Sequence, residues 1–240
     1  MIDDASLLLA WERGYGRAPF EQALVLLGIA FPNTTVNELM NLTIGKRDAA
    51  LLALRQRLFG DKLESLANCP DCNETLELSF RVDDITVSPD SLPESCRVEL
   101  DGLQIDYRLP TSRDLVELTR IASDSRGDQL MRQCVSRVQC GEQLVTLDSL
   151  PLATRHTISQ TIAESDPQAD IQLSLSCLGC GHQWNTPFDI VGFLWTELNV
   201  WCQRLLAEIH VLAKAYGWTE PESLALSRWR RQVYLSMVRQ

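Results

Sequence analysis

The chain has no apolar run long enough to cross a bilayer. Its longest, Ala23–Phe31, falls well short of the roughly 20 residues a membrane helix needs. No secretory leader is expected either, because Asp3 and Asp4 stand where its basic segment would be. We therefore expect a protein of the cytoplasm, where thiols stay reduced. Basic charge is scarce as well. The chain carries 22 Lys and Arg against 32 Asp and Glu, a net charge of −10, with a pI near 4.8. A sequence-independent nucleic-acid binder needs a basic face, because phosphate contacts supply most of its affinity. Arg228, Arg230, Arg231 and Arg239 form the one basic cluster of note. It reads as a solvated helix face, with an acidic partner or nucleic acid as the sharper alternative. Enzymatic signatures are missing too: there is no Ser/His/Asp order, nucleophile elbow or Gly-rich dinucleotide turn. Gly45–Lys46 lacks the upstream Gly and the following Ser or Thr of a phosphate loop. The carboxylates are scattered. These absences predict a protein that is not an enzyme, has no small-molecule substrate and binds other macromolecules.

What the chain does have is cysteine in pairs. At 240 residues and 45% apolar content, it is long enough to bury a real core as a globular protein. Among its eight cysteines, Cys69/Cys72 and Cys177/Cys180 stand as Cys-x-x-Cys in the turn sequences N-C-P-D-C-N and S-C-L-G-C-G. Such a turn projects two thiolates toward one point. A structural zinc needs four soft ligands in a closed tetrahedron, so the two pairs together make one complete site. Disulfides and thiol redox chemistry are the alternatives. A redox Cys-x-x-Cys usually opens a helix in a thioredoxin-like unit, whereas these pairs lead into the extended stretches Glu74–Arg81 and Gln183–Phe188. His182, two residues past Cys180, could replace a cysteine but reads as a bystander. His156 and His210 have no ligand-spaced partner. Cys96, Cys134, Cys140 and Cys202 lack a close cysteine partner and read as small packing residues.

Punctuation along the chain predicts an α+β fold. It is mainly helical, with a small zinc-ribbon-like β element split by an insertion, and a long C-terminal helix. A helical region spans 1–60. Ser6–Glu12 is its first short helix, and Pro19 suits the first turn of the next. Thr35 with Glu38 forms a capping box, and a helix over Gly45–Phe59 ends at Gly60. The first half of the ribbon, 61–96, holds a strand alternating through Leu76, Leu78, Phe80 and Val82. The prolines of Pro89–Glu94 mark a loop. The insertion, 97–170, has a hairpin turning at Asp101–Gly102 and helices over Thr111–Ala122, Asp128–Val138 and Pro151–Glu164. The second half of the ribbon is 171–188, with a strand over Ile171–Leu175. The two knuckle regions read as weak repeats facing each other across one zinc.

The tail, 189–240, opens with a helix capped by Asp189. Its apolar stripe includes Val191, Leu194, Leu198, Trp201, Leu205, Ile209, Leu212 and Tyr216. Gly217 closes it. At about 28 residues it would be ~42 Å long. A second capping box, Thr219 with Glu222, and a cap at Ser227 start two further helices. Trp195, Trp201, Tyr216, Trp218 and Trp229 are candidate partner contacts, since exposed aromatics serve as interface anchors; the plainer reading is core packing.

The order of several segments carries a resemblance. Gly14–Pro19, LTIGKRDAALLALRQRL (Leu42–Leu58), the first knuckle and its strand, and RLPTSRDL (Arg108–Leu115) come first. DPQAD (Asp166–Asp170), the second knuckle with FDIVGFLWTE (Phe188–Glu197), EIHVLAKAYGWTEPESLAL (Glu208–Leu226) and Arg230–Arg231 follow. In this order the chain resembles the baseplate-associated proteins of contractile phage tails and contractile injection systems, which are related to the baseplate hub assembly chaperones of myoviruses. The resemblance implies a non-enzymatic protein whose partners are baseplate, hub or spike subunits, at work in the bacterial cytoplasm and leaving after assembly or retained in the particle. The zinc expectation rests on the cysteine spacing alone. Two rivals belong to other classes: a zinc-ribbon nucleic-acid or transcription factor reading through Arg228–Arg231, and a hydrolase with an open metal site.

Overall fold

In a computed structural model, residues 2–87, 96–119, 121 and 125–238 are described; the loop expected at 89–94 lies outside them. The elements run, in chain order, α1 (Asp4–Gly14), α2 (Pro19–Ala30), α3 (Val36–Met40), α4 (Ile44–Phe59), β1 (Lys62–Asn68), β2 (Thr75–Arg81), β3 (Cys96–Leu100), β4 (Leu103–Tyr107), α5 (Ser112–Leu118), α6 (Arg126–Cys134), β5 (Val135–Cys140), β6 (Gln143–Leu144), α7 (Leu152–Glu164), β7 (Gln172–Ser176), β8 (Gln183–Pro187), α8 (Ile190–Tyr216), α9 (Glu220–Ala225) and α10 (Arg228–Val238). The fold is α+β, with small antiparallel sheets and a long C-terminal helix. No helix among the described residues is long and apolar enough to cross a membrane.

The punctuation explains most helix boundaries. Thr35 and Glu38 form the capping box of α3, and Thr219 and Glu222 that of α9. The Thr43 hydroxyl accepts from the Lys46 N–H at the start of α4, and the Ser227 hydroxyl accepts from the Arg230 N–H in the first turn of α10. Gly60 and Gly217, past the ends of α4 and α8, take φ of 90° and 71°, where a Cβ would be strained.

The chain divides into two compact units, 1–29 with 191–240, and 30–190. In the first, Leu7, Leu8, Leu26 and Leu27 are buried, as are Leu194, Leu198, Leu205 and Leu212 of α8. Gly14 lets α1 approach α8: a Cβ there would stand 2.4 Å from the Trp195 ring. Trp11 Nε1 donates to Asn199 Oδ1 at 2.9 Å. Asp4 pairs with Arg228 and Arg231 of α10 at 2.9 and 2.5 Å.

The second unit contains two two-stranded hairpins, β1–β2 and β7–β8, and the four-stranded sheet β3-β4-β5-β6. That sheet and its helices form a core of Ile105, Tyr107, Met131, Cys134, Val138, Leu150, Ile158 and Ile162. The hairpin of β3 and β4 turns at Asp101 and Gly102, both at positive φ (51° and 78°), as an Asp-Gly two-residue turn requires. Three sequence expectations need correction. The helix expected over Thr111–Ala122 ends at Leu118, with Thr119 already in a turn. The helix expected over Asp128–Val138 ends at Cys134; from Val135 the chain is strand β5, where Val138 pairs with Ile105 and is buried. Strand β1, before the first cysteine pair, was not expected at all.

Three of the segments behind the resemblance meet within this unit. The Ile44 N–H donates to the Pro110 carbonyl at 2.9 Å, and Thr43 bridges Thr111. The Gly45 N–H donates to Asp166 Oδ2 at 2.9 Å. Gln168, fully buried, accepts from the Val87 N–H and donates to the Ile85 carbonyl. The Asp166 loop therefore fastens α4 and the segment after β2 to the inserted sheet, and this fixes where the hairpins start.

Candidate metal centre

Each cysteine pair sits at the tip of a hairpin, and the two tips have the same backbone design. In the first, the Cys69 N–H donates to the Glu74 carbonyl at 2.8 Å and the Asn73 N–H to the Cys69 carbonyl at 2.9 Å. In the second, the Cys177 N–H donates to the His182 carbonyl and the Gly181 N–H to the Cys177 carbonyl, both at 2.9 Å. Below them, Asn68 pairs with Thr75 and Ser176 with Gln183. The residue after each second cysteine, Asn73 or Gly181, takes positive φ (62° and 77°). Gly and Asn tolerate that conformation, which is why those two types stand there.

The two turns bring four sulfurs together. The Sγ atoms of Cys69, Cys72, Cys177 and Cys180 all lie within 4.8 Å of one another. Cys69–Cys180 and Cys72–Cys177 are 3.6 Å apart. All four are free thiols, with Cys69 and Cys177 buried and Cys72 and Cys180 exposed. A tetrahedron with metal–sulfur bonds of ~2.3 Å has edges of about 3.8 Å. The spacing thus suits four thiolates around one cation, and the 3.6 Å contacts are far longer than the ~2.05 Å of a disulfide.

Electrostatics at the cluster point the same way. Burial works to raise the Cys69 pKa, but the N–H groups of Cys72 and Asp71 and the neighbouring sulfurs bring it down to about 7. The His182 N–H works to lower that of Cys180, yet burial and three adjacent sulfurs push it up to about 12. Four sulfurs this close cannot all ionise without a cation among them. The donor set therefore fits a thiophilic divalent metal such as zinc.

Around this centre, Phe80 of β2 meets Phe188 edge-on at 5.5 Å, joining the two hairpins beneath the sulfurs. The imidazole of His182 stacks on Trp184 at 5.8 Å and is absent from the cluster, as are the exposed His156 and His210. Cys134 and Cys202 are buried thiols pushed up to about 11 and 12 by burial.

The candidate partner-contact aromatics lie in the other unit. Trp195 is half-buried against Gly14, and Trp201 is half-buried under the Arg228 guanidinium, 5.1 Å from its centroid. Tyr216 and Trp218 stack at 4.7 Å, and Tyr234, absent from the sequence candidates, joins them edge-on. Trp229 is 75% exposed. Of the basic cluster, Arg228 and Arg231 are occupied by Asp4.

No curated protein and no solved structure matches the chain. A family profile does, over residues 14–195, from the glycine of α1 to the tryptophan that packs on it. With three quarters of its length matched, the chain belongs to the T4 bacteriophage base plate protein family.

Proposed function

We propose that this protein is a non-enzymatic component of baseplate construction, binding baseplate, hub or spike subunits of a contractile particle in the bacterial cytoplasm and stapled by one structural zinc. The observation that carries the reading is the family match over residues 14–195. The finer role, a hub assembly chaperone or minor hub component, follows the resemblance of the ordered segments. A closed set of four thiolates supports a structural rather than a catalytic metal, because a catalytic zinc keeps one position for water or substrate. Cys69, Cys72, Cys177 and Cys180 would hold the zinc, and the zinc would supply a fixed crosslink between the hairpins. Recognition then falls to the surfaces the crosslink orients and to exposed aromatics such as Trp229. The nucleic-acid rival is weakened by the commitment of Arg228 and Arg231 to Asp4.

Co-purification tests the role. Tagged protein drawn from cells assembling the particle should bring down baseplate or hub subunits, and the mature particle should then be assayed for the protein. Retention makes it a component; loss makes it an assembly factor. Failure to recover any particle subunit overturns the proposal.

A further inference from the structure

We propose that Glu74 is the residue through which metal is loaded onto and released from the four-thiol centre, as a reserve carboxylate donor that exchanges with Cys177. The inference rests on the zinc reading above and goes beyond it by giving the centre a labile side.

Glu74 follows the first cysteine pair, but its side chain crosses to the second. Its Oε2 lies 4.0 Å from Cys177 Sγ. A Cβ placed on Gly179, between Cys177 and Cys180, would be only 1.9 Å from that oxygen. The carboxylate thus fills the space a side chain at 179 would take. Its distance from Cys177 falls within the range of the sulfur–sulfur spacings, 3.6 to 4.8 Å. A fifth donor therefore stands beside one particular ligand.

The other half of the centre gives the contrast. His182 holds the position equivalent to Glu74, and each gives its backbone N–H to the sulfur two residues before it. The His182 ring, however, turns away to stack on Trp184. The position equivalent to Gly179 is Asp71. Among the described residues the reserve donor thus stands on the Cys177 side.

Charge favours exchange there. Four thiolates around a divalent cation carry a net charge of −2, and a carboxylate beside one of them sets anion against anion. Carboxylate oxygen is itself a good zinc donor, at ~2.0–2.2 Å. In the exchange a metal–oxygen bond to Glu74 forms as the metal–sulfur bond to Cys177 breaks. The sulfur leaves as thiolate and nothing is oxidised or reduced.

The test uses the full chain purified with zinc. Metal content is measured first, then the rate of zinc transfer to a chromophoric chelator for the wild type, Glu74→Gln and Glu77→Gln. Glu77 is exposed on β2, three residues after Glu74, so its variant removes an equal charge away from the sulfurs. Glu74→Gln should slow transfer roughly threefold or more, the scale of an exposed charge effect, while Glu77→Gln transfers as the wild type does. A loaded wild type whose Glu74→Gln rate matches it, or exceeds it, overturns this proposal alone. A wild type that takes up no metal overturns the zinc reading and this proposal with it.

Discussion

Gly45 stands in the first turn of α4, where alanine would ordinarily improve a helix by up to ~1 kcal/mol. Here a Cβ would sit 1.8 Å from Asp166 Oδ1, and Asp166 is almost wholly buried. Gly45→Ala should therefore destabilise the protein, by about 2 kcal/mol as Asp166 is forced off the Gly45 N–H. Denaturant titration checks the sign, and a stabilised variant would show that the Asp166 loop yields freely. Asp114 is a second pivot. Burial acts to raise its pKa, but two 2.7 Å bonds from the Arg108 guanidinium and two 2.8 Å bonds from the Thr111 N–H and hydroxyl hold it below the usual 3.8. A depressed acid contributes stability that is present above its unfolded value and lost as pH falls through its folded one. Its share should be complete at neutral pH and disappear below 3.8. Asp114→Ala should cost about 3 kcal/mol at pH 7 and progressively less in acid, as melts at pH 7 and pH 3 would reveal. At this scale the sequence was informative: the cysteine spacing named four sulfurs that converge, and the Asn or Gly after each pair announced its turn. Glu74 gave no such sign, because its contact is with a residue more than a hundred positions away.

Capping boxes and turn glycines made the helices legible, since a cap is a local bargain between a side chain and the next turn. Strands were harder to read. Lys62–Asn68 carries Glu, Ala and Asn, which have weak strand preference, and of its residues only Leu63 is buried. It is a strand because β2 lies beside it in full register. Residues 135–138 failed for the opposite reason. The helical spacing of α6 runs on into them, but Val138 finds Ile105 across the sheet, and long-range pairing outweighs local period. The aromatic stripe of α8 misled more mildly. Its periodicity marked the buried face correctly, but spacing does not reveal that Trp195 closes over a glycine or that Trp201 lies beneath an arginine.

For the whole molecule, a metal held by the four sulfurs would tie together two segments far apart in the chain. Cys72 and Cys177 lie 105 residues apart in sequence. A crosslink over such a loop withdraws about 4–5 kcal/mol of chain entropy from the unfolded state, whatever the bond chemistry. Removing the metal with a strong chelator, or replacing Cys69 and Cys177 by Ser, should lower the melting temperature by roughly 10 °C or more and expose the amides of both hairpins to exchange. Unchanged melting and metal content in the double variant would count against the staple. Charge follows the division of the chain: unit 30–190 carries 24 acidic and 14 basic residues, while the other carries eight of each. The excess negative charge of the protein thus resides wholly in the unit that holds the sulfurs.

The order in which the chain is made has its own consequence. Residues 1–29 belong with 191–240, so the leucines of α1 and α2 emerge from the ribosome long before α8 does. About 160 residues of synthesis separate them, some 8–32 s at ordinary elongation rates. Through that interval Leu7, Leu8, Leu26 and Leu27 have no long helix to cover them. In a nascent chain of this design the first two helices wait for α8 until synthesis is nearly complete.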